Sequence, residues 1–266
     1  MDYQNIIKEV NIHICFLTIN RPKYLNALNN KTIQELNHAL LDIAKDKNIK
    51  CVILTGADKK AFVAGADIKE FSTFNKAQGS LLSKTGHDKL FNVLENFNKP
   101  CIAAINGFAL GGGLELAMAC HIRIASSNAK LGLPEVSLGV IPGYGGTQRL
   151  PHLVGKGKAF EMITTAKMIS AQEAKECGLV NQICEQEDLI EICIAMCEKI
   201  CRNSSSAISS AIKSANESAE RLCIKLPTVP HSKVLVFLFC LNLINTFASL
   251  GNLFSFINLY KRKPFR

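Results

Sequence analysis

The chain reads as an α/β fold, with mixed strands and helices through about residue 183 and helices alone after it. Three observations predict this. Short apolar, β-branched runs such as IHICFLTI at 12–19 recur along the first two thirds, the composition of buried strands. Stretches with apolar residues three and four apart lie between them, the period of a helix packed on one face. Beyond residue 183 only the helical period remains, near 187–201 and 204–219, which sets a helical region against an α/β core. With 266 residues, 48% of them hydrophobic, the chain can bury a large core. That composition excludes a disordered chain, a collagen-like repeat and a small disulfide scaffold.

The elements follow in order. After the strand at 12–19, Asn30 precedes a helix to about Asp46, with Ile33, Leu36, Leu40 and Ile43 on one face. Cys51 to Leu54 is a short buried strand, and a loop through Gly56 and Gly65 leads to Asp67. A polar stretch with helical patches runs to about Asn98. Cys101 to Ile105 is a second buried strand, closed by Asn106-Gly107, and the Gly111-Gly112-Gly113 run opens an apolar helix. Ile122 to Ala125 is strand-like. Turns rich in Gly and Pro surround Val136 to Val140, and helices are expected near 145–152 and 156–166. Ser170 with Glu173 has the spacing of a capping box for a helix that stops at Gly178.

The net charge of +9 is unevenly placed. Residues Leu222 to Arg266 hold six Lys/Arg and no acid, leaving 25 basic and 22 acidic residues, a net of +3, in 1–221. That tail also contains an uncharged run of 27 residues, Val234 to Tyr260. The run is long enough to cross a bilayer, and Lys261, Arg262 and Lys263 would flank it. Seven of the 27 are Asn, Ser or Thr, which weighs against a span and against membrane contact. No RNP, helix-turn-helix or zinc-finger pattern accompanies the charge, so no nucleic-acid partner is expected.

The eleven cysteines read as reduced thiols. The start, MDYQNIIKEV, has no apolar leader and carries Asp2 and Glu9, so a cytoplasmic protein is expected. Cys193, Cys197 and Cys201 recur every four residues. One apolar helix face explains them better than a metal site, because free Cys packs as a small hydrophobe and no C-x-x-C pair is present.

Two isolated acids carry the chemistry. Glu115 is the only charged residue between Pro100 and Cys120, and Glu135 the only one between Leu131 and Gln148. A buried carboxylate either pairs or takes up a proton. Each could be structural, with Arg123 or Arg149 as partner. Two such acids beside Gly-rich turns suit an acid and a base working near neutrality. The glycine triplet does not fit a dinucleotide fingerprint, since no G-x-G-x-x-G is present and Glu115 would repel a pyrophosphate. It fits either a tight turn or an oxyanion site at a helix N-terminus. Ala64-Gly65-Ala66 could supply a second N–H donor. Asp67 has the chemistry of an N-cap, and Lys59, Lys60 and Lys69 would suit either solvent or a phosphorylated ligand.

Together these segments resemble the crotonase (enoyl-CoA hydratase/isomerase) family from about residue 10 to 220. The motifs are NRPKYLNAL at 20–28, AFVAGADIKEF at 61–71, AAINGFALGGGLELAMAC at 103–120, LPEVSLGVIPGYGGTQRL at 133–150 and ISAQEAKECGLV at 169–180. The resemblance implies a spiral core of repeated ββα units over 1–200 and a C-terminal helical region over 201–266, atypical from about 222. It implies homotrimers or dimers of trimers. It places the oxyanion N–H groups at Ala64 and Gly112, and the two catalytic carboxylates at Glu115 and Glu135. It places CoA contacts at Lys23, Leu25 and Ala27, at Ala64, Gly65, Ala66, Asp67 and Ile68, and at Gly112. It implies hydration of a trans-2-enoyl-CoA, as in β-oxidation, with CoA carried by the substrate and no separate cofactor or metal. The alternatives are an isomerase or another CoA-thioester enzyme of the family, or an impaired binding protein. Family isomerases need only one acid/base, often at the position of Glu135, so the presence of both acids favours hydration.

The chain departs from the family pattern in two places. His121 stands where many relatives have Asp, which puts fine positioning in question. From about Arg221 the acidic amphipathic helices of the family are replaced by a segment rich in Phe, Leu, Ile and Asn, which reads as a substituted or frameshifted tail from an AT-rich gene.

Overall fold

Alternate residues of one strand feed two different cores, and this organises the whole molecule. In the computed structural model, which describes residues 2–67, 70 and 75–222, that strand is β3 (Cys51–Gly56). Val52 and Leu54 pack into the larger core, while Cys51 and Ile53 enter a second, smaller one. A strand buried on both faces reads as a continuous apolar run, which is why CVIL stands out in the sequence.

The chain begins with a hairpin of β1 (Ile6–Asn11) and β2 (Ile14–Ile19), paired antiparallel. Helix α1 (Asn30–Lys45) follows, capped by Asn29, whose side chain accepts from the Thr32 amide. The cap lies one residue before the expected Asn30. After β3 come β4 (Ala61–Ala64), α2 (Lys76–Gly86), a five-residue π-helix (His87–Phe91) and α3 (Asn92–Glu95). Then β5 (Cys101–Ile105), β6 (Phe108–Leu110) and α4 (Gly112–Ala119) form a compact ββα unit. Strands β7 (Ile122–Ser126) and β8 (Lys130–Gly132) repeat its first half, and a 3-10 turn over Glu135–Leu138 leads to α5 (Gly146–Thr165). The two helices expected near 145–152 and 156–166 lie on either side of the non-helical Gly155 within α5.

The sequence Ile169–Ser170 forms β9, and Ala171–Glu176 forms α6 with both halves of the capping box made by Ser170 and Glu173. The chain then runs through β10 (Gln182–Cys184), α7 (Leu189–Cys201) and α8 (Ser205–Leu222). The first sheet has the order β1-β2-β3-β5-β7-β10 and the second β4-β6-β8-β9. Each pass through β3–β4, β5–β6 and β7–β8 lays one strand in each sheet, parallel to the strand of the pass before. This is the spiral of repeated units that the resemblance implies. Helix α7 lies on the first sheet, with Leu189, Cys193 and Cys197 against β3, β5 and β7. The four-residue recurrence of cysteine there is an apolar helix face. Sγ of Cys197 stands 2.9 Å from Sγ of Cys51.

By contacts the chain divides into 1–215 and 216–266, so the region expected over 201–266 falls partly in each unit. The second unit is described only to Leu222, the end of α8. The uncharged run at 234–260 and the basic cluster at 261–263 lie outside the described residues. No helix among the described residues is long and apolar enough to cross a membrane.

Candidate active site

The site forms where the second sheet meets the N-terminus of α4. Glu115 sits in the first turn of α4 and is 1% exposed. Its Oε1 accepts the Tyr144 amide at 2.8 Å and the Gly146 amide at 2.7 Å. Burial raises its pKa to about 7, and nearby Glu135 adds to the rise. The two amides and the Arg149 guanidinium oppose it. The partners of Glu115 are thus backbone N–H groups, and neither arginine considered from the sequence pairs with it. Arg123 is spent on the carbonyls of Leu179, Cys120 and Ala117, and Arg149 pairs with Glu95 at 2.6 Å.

Glu135 begins the 3-10 turn after β8. Its Oε2 is buried and meets no protein partner. Burial raises its pKa, which a backbone hydrogen bond partly opposes. Gly111, at φ +52, lies against this carboxylate, in a conformation that L side chains rarely adopt. The structure thus brings Glu115 and Glu135 into electrostatic reach of each other, on either side of the glycine run.

The amide assigned to Ala64 from the resemblance requires correction. The Ala64 N–H donates to the Leu25 carbonyl at 3.0 Å, so it is not available to a substrate oxygen. Two residues on, the Ala66 amide has no backbone acceptor among the described residues. Its nitrogen lies 3.6 Å from the position a Cβ on Gly112 would take. The Gly112 amide is the first of α4 and has no intrahelical acceptor. The free pair of donors is therefore Ala66 and Gly112. Pairing parity decides this: Leu28 donates to Gly65 and accepts from Asp67, which leaves Ala66 between them with its N–H unused.

Lys23 and Leu25 are exposed on the short turn before β4's partner loop, and Ala27 is buried. Asp67 pairs with Arg21 at 2.9 Å, and Arg21 also donates to the Ala27 carbonyl. The functional side chain missed from the sequence here is Asn26. It is 1% exposed, with Nδ2 bonded to the Ala57 and Ala61 carbonyls and Oδ1 accepting from Arg21. It ties the 21–28 loop to β4, with a left-handed φ of 59 that Asn tolerates better than most residues. Lys59 and Lys60 are exposed, and Lys59 pairs with Glu187. Ile68 and Lys69 lie outside the described residues.

His121 fills its place as a hydrogen-bond acceptor. Nδ1 accepts the Cys101 amide at 2.9 Å, which assigns the proton of the neutral ring to Nε2. Burial lowers its pKa to about 4, more than the neighbouring Glu95 backbone restores. A neutral imidazole thus supplies the one acceptor that the strand end needs.

Tyr144 closes one side. Its ring stacks on Phe91 at 4.5 Å and 10° and lies beside Gly112 and Gly86. Burial, reinforced by Glu115 and Glu70, pushes the phenol up to about 12, so it stays neutral. The arrangement offers two converging amides for a developing oxyanion, one clamped carboxylate and one unpartnered carboxyl, under an aromatic wall.

A family model described as enoyl-CoA hydratase/isomerase matches residues 9–230. A short-chain-enoyl-CoA hydratase of Clostridium acetobutylicum is 52% identical over 190 residues, 71% of this chain and 72% of that protein. A crotonyl-CoA hydratase of Syntrophomonas wolfei is 48% identical over 190 residues, 71% of this chain and 73% of its own length. Among solved structures, an enoyl-CoA hydratase from Bacillus anthracis is 39% identical, with a TM-score of 0.77 and 98% of each chain covered.

Proposed function

The chain belongs to the enoyl-CoA hydratase/isomerase family and is an enoyl-CoA hydratase, and from that premise we propose that Glu115 and Glu135 carry the reaction over the Ala66 and Gly112 amides. The substrate is a trans-2-enoyl-CoA. Its thioester oxygen sits between the two N–H groups, which favour the charge that develops there over the neutral carbonyl. Glu115 presents its free Oε2 to a water, takes a proton from it, and the water oxygen bonds to C3. Electron density moves from the C2–C3 double bond to the thioester oxygen. Glu135 then protonates C2, the oxyanion collapses, and 3-hydroxyacyl-CoA is complete. Both carboxyls act from the same side, so the addition is syn.

The observation that carries this reading is the unequal treatment of two neighbouring acids. Two amides grip one oxygen of Glu115, as suits a base that must be held and ionised. Oε2 of Glu135 is buried without a partner, as suits an oxygen that carries or receives a proton. A thioester lying over Gly111 would cover the rest of Glu135 and raise it further. The test is hydration of crotonyl-CoA by the wild-type protein and by Glu135→Gln, with CoA-ester binding measured on both.

For CoA, we assign Lys23 and Leu25 as the exposed rim and Gly65, Ala66 and Gly112 as the backbone strip. Ala27 and Asp67 act behind that strip, through Arg21, and Ala64 acts through its bond to Leu25. No separate cofactor enters the scheme. A homotrimer or dimer of trimers is supported by the exposed apolar residues Leu138, Val140, Ile141, Phe160 and Met168. A cytoplasmic setting is supported by free cysteines, six of them buried as apolar groups, and a role in β-oxidation by the enoyl-CoA substrate.

A further inference from the structure

Arg149 is buried, at 7% exposed, and one arm of its guanidinium holds the turn that grips Glu115. Nη1 donates to the Tyr144 carbonyl at 2.7 Å, and Nη2 donates to Oε2 of Glu95 at 2.6 Å. The peptide it holds, Tyr144–Gly145, lies between the two peptides whose N–H groups grip Oε1 of Glu115. Gly145 has a φ of +97, and a Cβ there would meet Nη1 of Arg149. The turn is therefore shaped around the guanidinium. Glu95 comes from α3, on the far side of the π-helix, and Phe91 of that π-helix stacks on Tyr144. One segment thus supports the turn twice, by a ring and by a carboxylate.

We propose that Arg149, anchored by Glu95, is a positioning residue for hydration: it fixes the 143–146 turn that holds Glu115. This rests on the reading of Glu115 as the base. A planar guanidinium suits the task because its fork can hold a carbonyl and a carboxylate at once in fixed directions. The charged and titratable groups that face Glu115 are Glu135 from the 3-10 turn, Arg149 from α5 and the Tyr144 phenol. Those facing Arg149 are Glu95 from α3, Glu115 from α4 and the His87 ring, which flanks Gly145. Among the described residues, Arg149 is the only cation facing Glu115, so it also favours the ionised base.

The experiment measures kcat, KM and the pH profile of kcat/KM for crotonyl-CoA hydration in Arg149→Met, Arg149→Lys, Glu95→Gln and Glu115→Gln. Arg149→Met is expected to lower kcat about 10- to 100-fold, the scale of a misplaced catalytic group, with KM little changed and the acid limb of the profile moved to higher pH. Arg149→Lys keeps the charge but not the fork, so its limb stays near that of the wild type while kcat remains reduced. Glu95→Gln reduces kcat by about 3- to 10-fold, the loss of one charge-assisted anchor. A folded Arg149→Met with wild-type kcat and limb overturns the proposal. Should Arg149→Met not fold, wild-type kcat in both Arg149→Lys and Glu95→Gln overturns it. Full turnover in Glu115→Gln instead refutes the reading of the base. An inactive Glu115→Gln beside Arg149 and Glu95 variants with wild-type kcat refutes the positioning role alone.

Discussion

Oε1 of Glu135 lies 2.9 Å from the point where a side chain on Gly111 would begin. The glycine is therefore a requirement of the carboxylate as much as of the turn. Gly111→Ala would force a Cβ into that contact in a backbone conformation costing on the order of 1–3 kcal/mol for a residue with a side chain. The expected outcome is a lower Tm together with loss of most crotonyl-CoA hydration. A stable and fully active variant would show that Glu135 does not need this space.

Glu135→Gln keeps the shape of the side chain and removes the proton it can give. Hydration should fall by about 10²- to 10⁴-fold, the usual range for loss of a general acid, while a CoA ester still binds. Turnover at the wild-type level would sink the assignment of the acid.

The Gly112 amide can be deleted without breaking α4, because proline is accepted at the first helical position. Gly112→Pro should fold and lose about 10²- to 10³-fold in kcat, the loss measured for one oxyanion donor elsewhere. Circular dichroism reports the fold and steady-state kinetics the loss. Undiminished kcat would place the oxyanion elsewhere.

Two buried groups link stability to pH in opposite directions. Glu115, raised to about 7 from 4.5, binds its proton more tightly when folded. It therefore lowers stability as pH rises from about 4.5 to 7. His121, lowered to about 4 from 6.5, binds its proton more tightly when unfolded. It lowers stability as pH falls from about 6.5 to 4. Between these limits the two slopes largely offset, each on the order of 1–3 kcal/mol across its window. Glu115→Gln should raise Tm at pH 8 and leave the His121 slope exposed. His121→Asn, which keeps an acceptor for Cys101, should expose the Glu115 slope. Thermal melts from pH 4 to 8 check both, and parallel curves for all three proteins would refute the linkage.

Glu115 and Glu135 were legible because each is a single charge in a long apolar stretch. The buried strands were legible for the same reason of composition, and the capping box of Ser170 and Glu173 because its spacing is local. The oxyanion donor was misplaced by two residues because the free amide depends on which N–H groups a neighbouring segment consumes. That is fixed by the pairing of Leu28 with Ala66 and of Leu25 with Ala64, which no local pattern encodes. Strands β4 and β6 are four and three residues long, too short for a period to show. The anchoring of Arg149 joins positions 54 residues apart, and the role of His121 as an acceptor depends on the Cys101 amide, 20 residues away.

The unequal setting of the two carboxyls also determines what is left behind after each turnover. In the proposed mechanism, hydration starts with Glu115 ionised and Glu135 protonated and ends with these states exchanged, so the site holds one proton and one negative charge throughout. The protein never has to solvate a second charge; it only moves one from α4 to the thioester oxygen and on to the 3-10 turn. The exchanged state is the one that removes water from a 3-hydroxyacyl-CoA. Each product thus leaves an enzyme set for the reverse reaction, and a proton must pass between the carboxyls, by way of water, before the next hydration. The two states hold the same number of protons, so their balance is set by the relative proton affinities of Glu115 and Glu135, both raised by burial, and not by the pH of the medium.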